Sequence, residues 1–173
     1  RRAGGGLICN APLTAASRNN EVWRLHTAQG EFMAPKVVIA AGAWCDAIGA
    51  LFAARSIGLV PKRRSAALLP AVEGMDVAQW PQFFPAREDF YCKPMGGALM
   101  LSPAEADPVP PQDAYADDLR LAEAADAFAR VLRMEVTRIT RSWAGLRSFV
   151  ADGAPVVGYD PEVEGLFWAA GPG

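Results

Sequence analysis

The chain has 173 residues, of which 51% are hydrophobic and 21% are charged, a length that suits one ordinary domain or two small ones. This composition excludes a disordered chain. The charge is nearly balanced, with 17 basic and 19 acidic residues, so it provides no argument for a nucleic-acid or membrane-surface partner. No apolar run reaches the roughly 18–20 residues that a membrane span needs, and no membrane span is expected.

The chain contains three cysteines and a single histidine. An odd number of widely spaced cysteines is not a disulfide framework, so Cys9, Cys45 and Cys92 are interpreted as buried thiols. Such thiols are typical of a reducing compartment, which predicts a cytoplasmic protein. No metal site is expected, because with His26 as the single histidine a Cys/His zinc site is short of ligands unless carboxylates contribute.

The first third of the chain predicts two kinds of sheet. Residues 21–28 alternate in polarity between turn-forming residues, so residues 13–34 are predicted to form an antiparallel meander. Residues 36–41 form a continuous apolar run, which is typical of a strand buried on both faces of a parallel sheet. A small-residue turn and a predicted helix over residues 44–54 follow. Such a turn brings backbone N–H groups to one place, where an anion or the edge of a cofactor can bind.

The middle of the chain predicts an antiparallel region. Residues 57–69 are predicted to form a strand pair that Pro61 interrupts, and the basic run at 62–64 is interpreted as a solvated edge. Residues 90–94 and 98–102 flank two glycines, which predicts a hairpin with a glycine turn.

The last third predicts a long helix over residues 117–134, followed by strands over residues 137–150 and 166–170. The last strand is again apolar throughout, and it is predicted to be the sheet neighbour of the strand at 36–41. The fold class is therefore an antiparallel α+β domain inserted into part of a doubly wound α/β domain. The apolar stripe of the helix is predicted to comprise Leu119, Ala122, Ala125, Phe128, Ala129 and Leu132.

Three motifs together go beyond this general description. Residues 37–44 read VVIAAGAW, residues 143–147 read WAGLR, and residues 152–158 read DGAPVVG, followed by GLFWAAG at 165–171. In this order and at these separations they resemble the flavin-dependent amine and amino-acid oxidoreductases of the D-amino-acid oxidase, glycine oxidase and sarcosine oxidase type. The resemblance extends over nearly the whole chain.

The resemblance implies FAD as the cofactor and a small-molecule amine or amino acid as the substrate. It implies that residues 1–54 and 151–173 belong to a doubly wound FAD-binding domain, and that residues 55–150 form an antiparallel-sheet substrate domain. In this family a hydride passes to the flavin from the carbon that bears the amine, and the resulting imine hydrolyses. No catalytic acid or base is implied, because hydride transfer depends chiefly on positioning.

The resemblance also implies eight site residues by their positions in the motifs. Tyr91 in FYCKP would line the substrate pocket, although a packed hairpin aromatic is the alternative. Arg147 in WAGLR would pair with the substrate carboxylate, since a guanidinium offers a planar fork of donors; a surface ion pair is the alternative. Core packing is an equal alternative for Trp44. The implied cofactor-binding residues are Leu13, Ala41, Gly42, Trp44, Gly171 and Gly173.

The chain departs from the family pattern in several places. No GxGxxG motif follows a first strand, so the chain is expected to be a fragment without the dinucleotide-binding N-terminal half and the final tail. That half would be its partner, and the fragment alone is expected to bind FAD poorly and to be inactive. Ser148 stands at the family's proline position, and Lys93 adds a positive charge near the pocket.

Two alternatives and the oligomeric state stay open from the sequence. The first alternative is a flavoprotein that oxidises a hydroxy compound or serves tRNA modification. The second is an α+β binding module without enzymatic activity.

Overall fold

A computed structural model describes residues 4–70 and 74–173. The chain divides into two compact units, of which unit 1 comprises Arg1–Leu59 with Ser148–Gly173 and unit 2 comprises Val60–Arg147. Residues 1–3 and 71–73, which the predicted parts 1–54 and 55–150 include, lie outside the described residues. The functional names given to the predicted parts stay predictions.

Unit 1 begins with a three-stranded antiparallel sheet in the order β1-β2-β3. The strands are β1 (Leu13–Asn19), β2 (Val22–Thr27) and β3 (Gly30–Ala34). Two-residue connections join them, as expected where asparagine and glycine adopt the left-handed backbone conformation that tight turns need. The predicted meander over residues 13–34 is therefore confirmed.

The second sheet of unit 1 joins strands from opposite ends of the chain. Its order is β4-β10-β9, with β4 (Val37–Ile39), β9 (Val156–Tyr159) and β10 (Leu166–Ala170). Strand β10 runs parallel to β4 and antiparallel to β9. The prediction that the two apolar strands are neighbours is confirmed, because Leu166–Trp168 pairs residue by residue with β4.

The burial expected for β4 is found on one face only. Ile39 is buried in the core of unit 1, whereas Val38 is 60% exposed. Successive side chains of a strand point to opposite faces, and the apolar core of this unit covers only the face of Ile39. The expectation of a strand buried on both faces is therefore wrong for β4 in the described residues.

The helix after β4 is shorter than predicted. A 3₁₀ turn (Gly42–Trp44) leads into α1 (Cys45–Ala50), and Ala53 then takes a left-handed φ of 57°. The side chain of Asp46 holds the following segment, because it accepts hydrogen bonds from the backbone N–H groups of Ile57 and Leu59 at 2.8 and 2.9 Å. The buried core of unit 1 consists of Trp23, Ile39, Cys45, Phe52, Leu59, Leu166, Trp168 and Ala170.

Unit 2 contains a four-stranded sheet in the order β6-β7-β5-β8. Strand β5 (Val60–Leu69) is unbroken, so the interruption predicted at Pro61 is wrong. Proline is tolerated near the beginning of a strand, and Pro61 is the second residue of β5. Its carbonyl accepts a hydrogen bond from the N–H group of Val109 at 3.0 Å.

The predicted glycine hairpin is confirmed. Strands β6 (Tyr91–Met95) and β7 (Ala98–Ser102) pair antiparallel. Gly96 and Gly97 between them both have positive φ, at 59° and 78°, as the tight turns that match strand twist require. The remaining strand, β8 (Arg141–Phe149), begins later than the predicted residue 137.

The long helix is confirmed, but its buried face is not the predicted one. Helix α2 (Asp118–Leu132) is capped by Asp117, whose carboxylate accepts the N–H group of Arg120 at 3.1 Å. Leu121 is buried, whereas Leu119 is 68% exposed. The buried stripe is therefore rotated relative to the prediction. Of the predicted six, Phe128 belongs to the buried core, and Ala125 and Leu132 are partly buried against it. The buried core of unit 2 consists of Leu69, Val77, Phe90, Cys92, Leu99, Leu101, Ala124, Ala127 and Phe128.

Two further observations concern the cysteines and the helices. Cys45 and Cys92 are buried free thiols, but Cys9 is exposed, so the prediction of three buried thiols is wrong for Cys9. Within residues 4–70 and 74–173, no helix has both the length and the apolar character to cross a bilayer.

Candidate functional site

The eight predicted site residues fall into two groups, one in each unit. Tyr91 and Arg147 lie in unit 2, and the six predicted cofactor-binding residues lie in unit 1. The roles assigned to all eight stay predictions, but their positions define two surfaces that can be compared with those roles.

In unit 2, Tyr91 and Arg147 line the same cavity, which has a volume of about 420 Å³. Tyr91 is the first residue of β6, and Arg147 lies in β8, at the opposite edge of the sheet. The two residues are 56 positions apart in the chain, and the strand order brings them to one cavity. A volume of this size falls within the usual range for small-molecule sites.

Strand alternation explains which face of the sheet forms this cavity. Cys92 and Leu101 point to the face that α2 covers, so Tyr91 and Lys93, one position either side of Cys92, point to the other face. The pairing of Lys93 with Met100, and of Met100 with Leu68, keeps these three residues on that same face. The sheet of unit 2 therefore has one apolar face and one face that lines a cavity.

The cavity is strongly cationic. Among the described residues of its lining, Arg64, Lys93 and Arg147 supply three positive charges and Glu88 supplies one negative charge. Phe84 and Phe90 form an apolar part of the lining. Positive potential in a concave site attracts and orients anionic ligands, so this lining suits a small anion such as a carboxylate.

The basic run at 62–64 divides between two roles. Arg63 pairs with the helix cap Asp117, with 2.6 Å between Nη2 and Oδ2, whereas Arg64 lines the cavity. The expectation that the whole run is a solvated edge is therefore wrong for Arg64. The alternation of β5 could have indicated this, since Arg64 and Leu68 are an even number of residues apart and share a face.

A partly buried hydrogen bond holds the guanidinium of Arg64, and buried hydrogen bonds hold the backbone of the next residue, Ser65. Arg64 Nε donates to the carbonyl oxygen of Glu105 at 2.7 Å. The Glu105 side chain is buried and accepts the N–H group of Ser65 at 2.5 Å, and the Ser102 hydroxyl donates to the Ser65 carbonyl at 2.7 Å. Arg64 is thus placed by its surroundings before any ligand arrives.

The cap of α2 also carries a perturbed carboxyl group. The hydrogen bond from the N–H group of Arg120 lowers the pKa of Asp117, and the positive charge of Arg63 lowers this pKa further. Asp117 is therefore a stable partner for Arg63. This arrangement belongs to the structure of unit 2 and not to the cavity.

In unit 1, the predicted cofactor-binding residues follow the ends of two parallel strands. Ala41, Gly42 and Trp44 follow β4, and Gly171 follows β10. Because β4 and β10 run in the same direction side by side, the residues that follow them meet at one edge of the sheet. Ligands of α/β sheets characteristically bind outside such carboxyl ends.

The residues at this edge fit a large planar cofactor. Gly42 has a φ of 56°, and no atom lies within 4 Å of the position that a Cβ would take there. Trp44 is 44% exposed, so its indole ring is not packed in the buried core. Small residues and open space beside an exposed indole leave room for a flat ring system.

Gly171, Gly173 and Leu13, the other predicted cofactor-binding residues, differ in their local surroundings. Gly171 is buried and has a φ of 68°. At Gly173 a Cβ would come within 2.8 Å of the Phe149 ring. Leu13 begins β1 and packs against the same core as Ala41.

One buried polar contact in unit 1 was not anticipated from the sequence. The Asp160 carboxylate accepts a hydrogen bond from Trp168 Nε1 at 2.9 Å and one from the N–H group of Val163 at 2.7 Å. Partial burial by itself would raise the pKa of Asp160, but these hydrogen bonds and one from Glu162 together lower it. The contact fixes the connection between β9 and β10.

The thiols and other ligating groups do not form a second centre. Burial raises the pKa of the Cys45 thiol, and it raises that of Cys92 to about 12, so both are poor nucleophiles. In the part of the chain that the structure describes, no cluster of three or more histidine, cysteine or carboxylate side chains could hold a metal ion.

Comparison with known proteins identifies the family. The family model described as FAD dependent oxidoreductase (DAO) matches residues 1–173. The chain therefore belongs to the FAD dependent oxidoreductase family, and FAD is the cofactor of that family. This confirms the resemblance that the three sequence motifs indicated.

Individual relatives include enzymes of amino-acid metabolism. The glycine oxidase of Geobacillus kaustophilus (strain HTA426) is 31% identical over 153 residues, which cover 85% of this chain and 38% of that protein. The mitochondrial sarcosine dehydrogenase of Homo sapiens is 27% identical over 188 residues, which cover 97% of this chain and 20% of that protein. The chain thus spans well under half of either relative.

Solved structures show the same fold. The crystal structure of the Geobacillus kaustophilus glycine oxidase superposes with a TM-score of 0.76 at 27% identity. The match covers 93% of this chain and 42% of the glycine oxidase chain. The crystal structure of the L-proline dehydrogenase from P. horikoshii superposes with a TM-score of 0.83 at 20% identity. The match covers 98% of this chain and 46% of the dehydrogenase chain.

Proposed function

We propose that this chain is part of an FAD-dependent enzyme that oxidises an amine or amino acid carrying a carboxylate. The observation that carries the proposal is the shared cavity of Tyr91 and Arg147. Family motifs far apart in the sequence single out these two residues for substrate binding, and they line one cationic cavity on the open face of a sheet.

In this proposal Arg147 binds the substrate carboxylate. Its guanidinium can donate two parallel hydrogen bonds to a carboxylate, which fixes both the position and the orientation of the bound molecule. Tyr91 lines the same cavity, and its hydroxyl can donate to or accept from a polar group of the substrate. Holding the reacting carbon in a fixed position can lower the activation free energy by several kcal/mol.

The cofactor in this proposal is held by the edge residues of unit 1. Ala41, Gly42 and Gly171 would present backbone and open space to FAD, and Trp44 would add an aromatic surface. When bound, FAD supplies an acceptor for a hydride from the carbon that bears the amine. The residues of this chain would bind and orient the substrate and would leave room for the cofactor.

The relatives support an amino-acid substrate. By their names, glycine oxidase and sarcosine dehydrogenase act on small amino acids. Glycine and sarcosine each carry one nitrogen and one carboxylate on the same carbon. The cationic lining of the cavity in unit 2 fits the carboxylate of such a molecule.

The test is anaerobic reduction of the flavin in the full-length, FAD-loaded protein. Amino acids and secondary amines that carry a carboxylate should bleach the flavin absorbance. Deuterium on the carbon that bears the amine should slow this bleaching, because that C–H bond breaks in the step. Arg147→Leu should lower kcat/KM by about 30-fold to 700-fold, which corresponds to about 2–4 kcal/mol for a lost charge pair.

A matched control is Arg87→Gln, which removes an exposed positive charge that does not line the cavity. If Arg147→Leu and Arg87→Gln behave alike, Arg147 does not bind the substrate. If no amine reduces the flavin while a hydroxy compound does, the proposal is wrong and the hydroxy-oxidising alternative replaces it. The three cations of the cavity favour a phosphate ester as the second candidate substrate to include in that screen.

A further inference from the structure

A second cavity of unit 2 lies beside helix α2 and has no part in the proposed function. Its volume is about 480 Å³, which falls within the usual range for small-molecule sites. Its lining includes Ala124 and Ala127 of α2, Glu105 and Asp107 from the segment after β7, and Asp89 from the segment before β6. It is called the α2 cavity below.

The described lining of the α2 cavity is acidic overall, with four carboxylates against two guanidinium groups. Both guanidinium groups are compensated by neighbours on their own helix. Arg120 Nη1 lies 3.3 Å from Glu123 Oε2, and Arg130 pairs with Asp126, which is not part of the lining. The excess negative charge therefore lies on the three carboxylates that do not belong to α2.

Glu105 is the buried one of these three carboxylates, with 9% of the residue exposed. Its Oε1 accepts the N–H group of Ser65 at 2.5 Å, but its Oε2 is buried and has no hydrogen-bond partner within the described residues. The nearby Arg64 donates to the backbone carbonyl oxygen of Glu105. A buried charged oxygen without a partner is costly, and a cation bound in the α2 cavity would reduce that cost.

The two other carboxylates are more exposed and only weakly compensated. Asp107 Oδ2 lies 3.8 Å from Nη2 of Arg63 and 3.8 Å from Nε of Arg120, and both distances are longer than a hydrogen bond. Asp89 is exposed and forms no ion pair with any residue that the structure describes. A second positive charge in the α2 cavity would therefore be attracted to these two carboxylates.

The shape of the α2 cavity favours an elongated organic cation over a metal ion. Among residues 4–70 and 74–173, no group of three or more histidine, cysteine or carboxylate side chains could hold a metal, so a compact divalent ion lacks the ligands that it needs. The uncharged part of the described lining consists of Pro103 and three alanines, including Ala124 and Ala127. Small apolar side chains of this kind can accommodate a methylene chain.

We propose that the α2 cavity binds a linear aliphatic diamine. Glu105 binds one ammonium group, and Asp89 and Asp107 attract the other, while the methylene chain lies on the apolar residues of the lining. The site is separate from the cavity of Tyr91 and Arg147 and does not depend on the proposed function. Binding there involves no chemical step.

The test is anaerobic equilibrium dialysis of the full-length, FAD-loaded protein at low ionic strength. The probe is 1,4-diaminobutane, and 1-aminobutane is the matched ligand with a single charge. We expect the diamine to bind about fivefold or more tightly than the monoamine, as one additional exposed ion pair allows. Magnesium chloride at the same concentration as the diamine should not displace it.

Variants assign the binding to particular residues. Glu105→Gln keeps an acceptor for the N–H group of Ser65 but removes the charge, and it should weaken diamine binding by about tenfold or more. Asp89→Asn changes an exposed side chain, so folding is preserved, and it should weaken binding by about twofold to fivefold. Asp113→Asn removes an exposed carboxylate outside the lining and should have no effect. Arg147→Leu should also leave diamine binding unchanged, which separates the two cavities.

Several outcomes would overturn the inference. The absence of saturable diamine binding would do so, and so would equal affinities for the diamine and the monoamine. Displacement by magnesium chloride would show a metal site in place of a diamine site. Binding that is lost in Arg147→Leu and kept in Glu105→Gln would place the diamine in the other cavity. None of these results bears on whether an amino acid reduces the flavin, so the proposed function is tested independently.

Discussion

The candidate sites of units 1 and 2 differ in kind. The edge in unit 1 offers space, since nothing lies within 4 Å of where a side chain of Gly42 would be. The cavity in unit 2 presents charge, with Arg64, Lys93 and Arg147 in its lining. A flat neutral ring needs room and backbone groups, whereas a small anion needs donors held in place.

The same contrast extends to how each unit is stabilised. In unit 1 the Trp168 ring packs directly on Gly49, and its indole N–H donates to Asp160. In unit 2 aromatic residues such as Phe90 and Phe128, with ring centroids 5.9 Å apart, form a core beneath α2. Both units have an apolar core, and the contact of Trp168 with Gly49 makes the core of unit 1 the more sensitive to added volume.

The largest effect is expected from the buried face of helix α2, where Leu121 is 1% exposed. Leu121→Ala should lower the free energy of unfolding by about 2–5 kcal/mol, because it leaves a cavity under α2. Leu119→Ala, two positions earlier on the same helix and exposed, should change it by less than about 0.5 kcal/mol. Chemical denaturation of the two variants measures the difference, and equal losses would contradict the observed rotation of the helix.

The close packing of the Trp168 ring on Gly49 predicts that a single added methyl group lowers the stability of the protein. A Cβ at Gly49 would lie 2.3 Å from the Trp168 ring, so Gly49→Ala should destabilise the protein by about 1–3 kcal/mol. Gly158→Ala is the control, since nothing lies within 4 Å of its Cβ position. Thermal denaturation that shows no difference between the two would refute the packing of Trp168 on α1.

The polar contact of unit 1 predicts a loss of about 1–3 kcal/mol in Asp160→Ala, because the buried indole N–H of Trp168 loses its acceptor. Asp160→Asn keeps one acceptor oxygen and should lose less. The lowered pKa of Asp160 means that its stabilisation is present above the ordinary value of about 3.9. That stabilisation disappears as the pH falls through the folded pKa.

The measurement is the free energy of unfolding of wild type and Asp160→Asn from pH 7 down to pH 3. The gap between the two proteins should be widest above about pH 4 and should narrow below it. A gap that stays constant or widens on acidification would show that the charged form of Asp160 is not the one that Trp168 stabilises.

The smallest effect concerns the thiols and leaves stability unchanged. At pH 7.5 a thiol reagent should label Cys9 rapidly, because it is exposed. Cys45 and Cys92 should resist labelling, since both are buried and their pKa values are raised. Mass spectrometry should find one modified cysteine in the native chain and three in denaturant, and rapid labelling of Cys92 would contradict the core of unit 2.

Local patterns predicted the elements that depend on neighbouring residues. The meander over residues 13–34 and the hairpin at Gly96 follow from turn chemistry and from alternation over a few positions. The long helix predicted over residues 117–134 follows in the same way, from the spacing of its apolar residues. These features require no knowledge of distant parts of the chain.

Other features depended on what lies opposite in space. The buried face of α2 is set by the sheet beneath it, and Ala-rich helices offer several faces of similar apolarity, so Leu119 was misassigned. The exposure of Val38 depends on which face of β4 the core covers. In both cases periodicity gives the element, and the choice of face comes from packing.

The site shows the same division. Motifs in the chain indicated the family, FAD, Tyr91 and Arg147, because each motif reflects a local requirement that can be recognised in a few residues. Strand alternation already places Arg63 and Arg64 on opposite faces, but only the folded sheet shows that one guanidinium meets a helix cap and its neighbour meets the cavity. Residue types and spacing are properties of the chain, whereas the charge of a cavity is a sum over strands that meet only after folding.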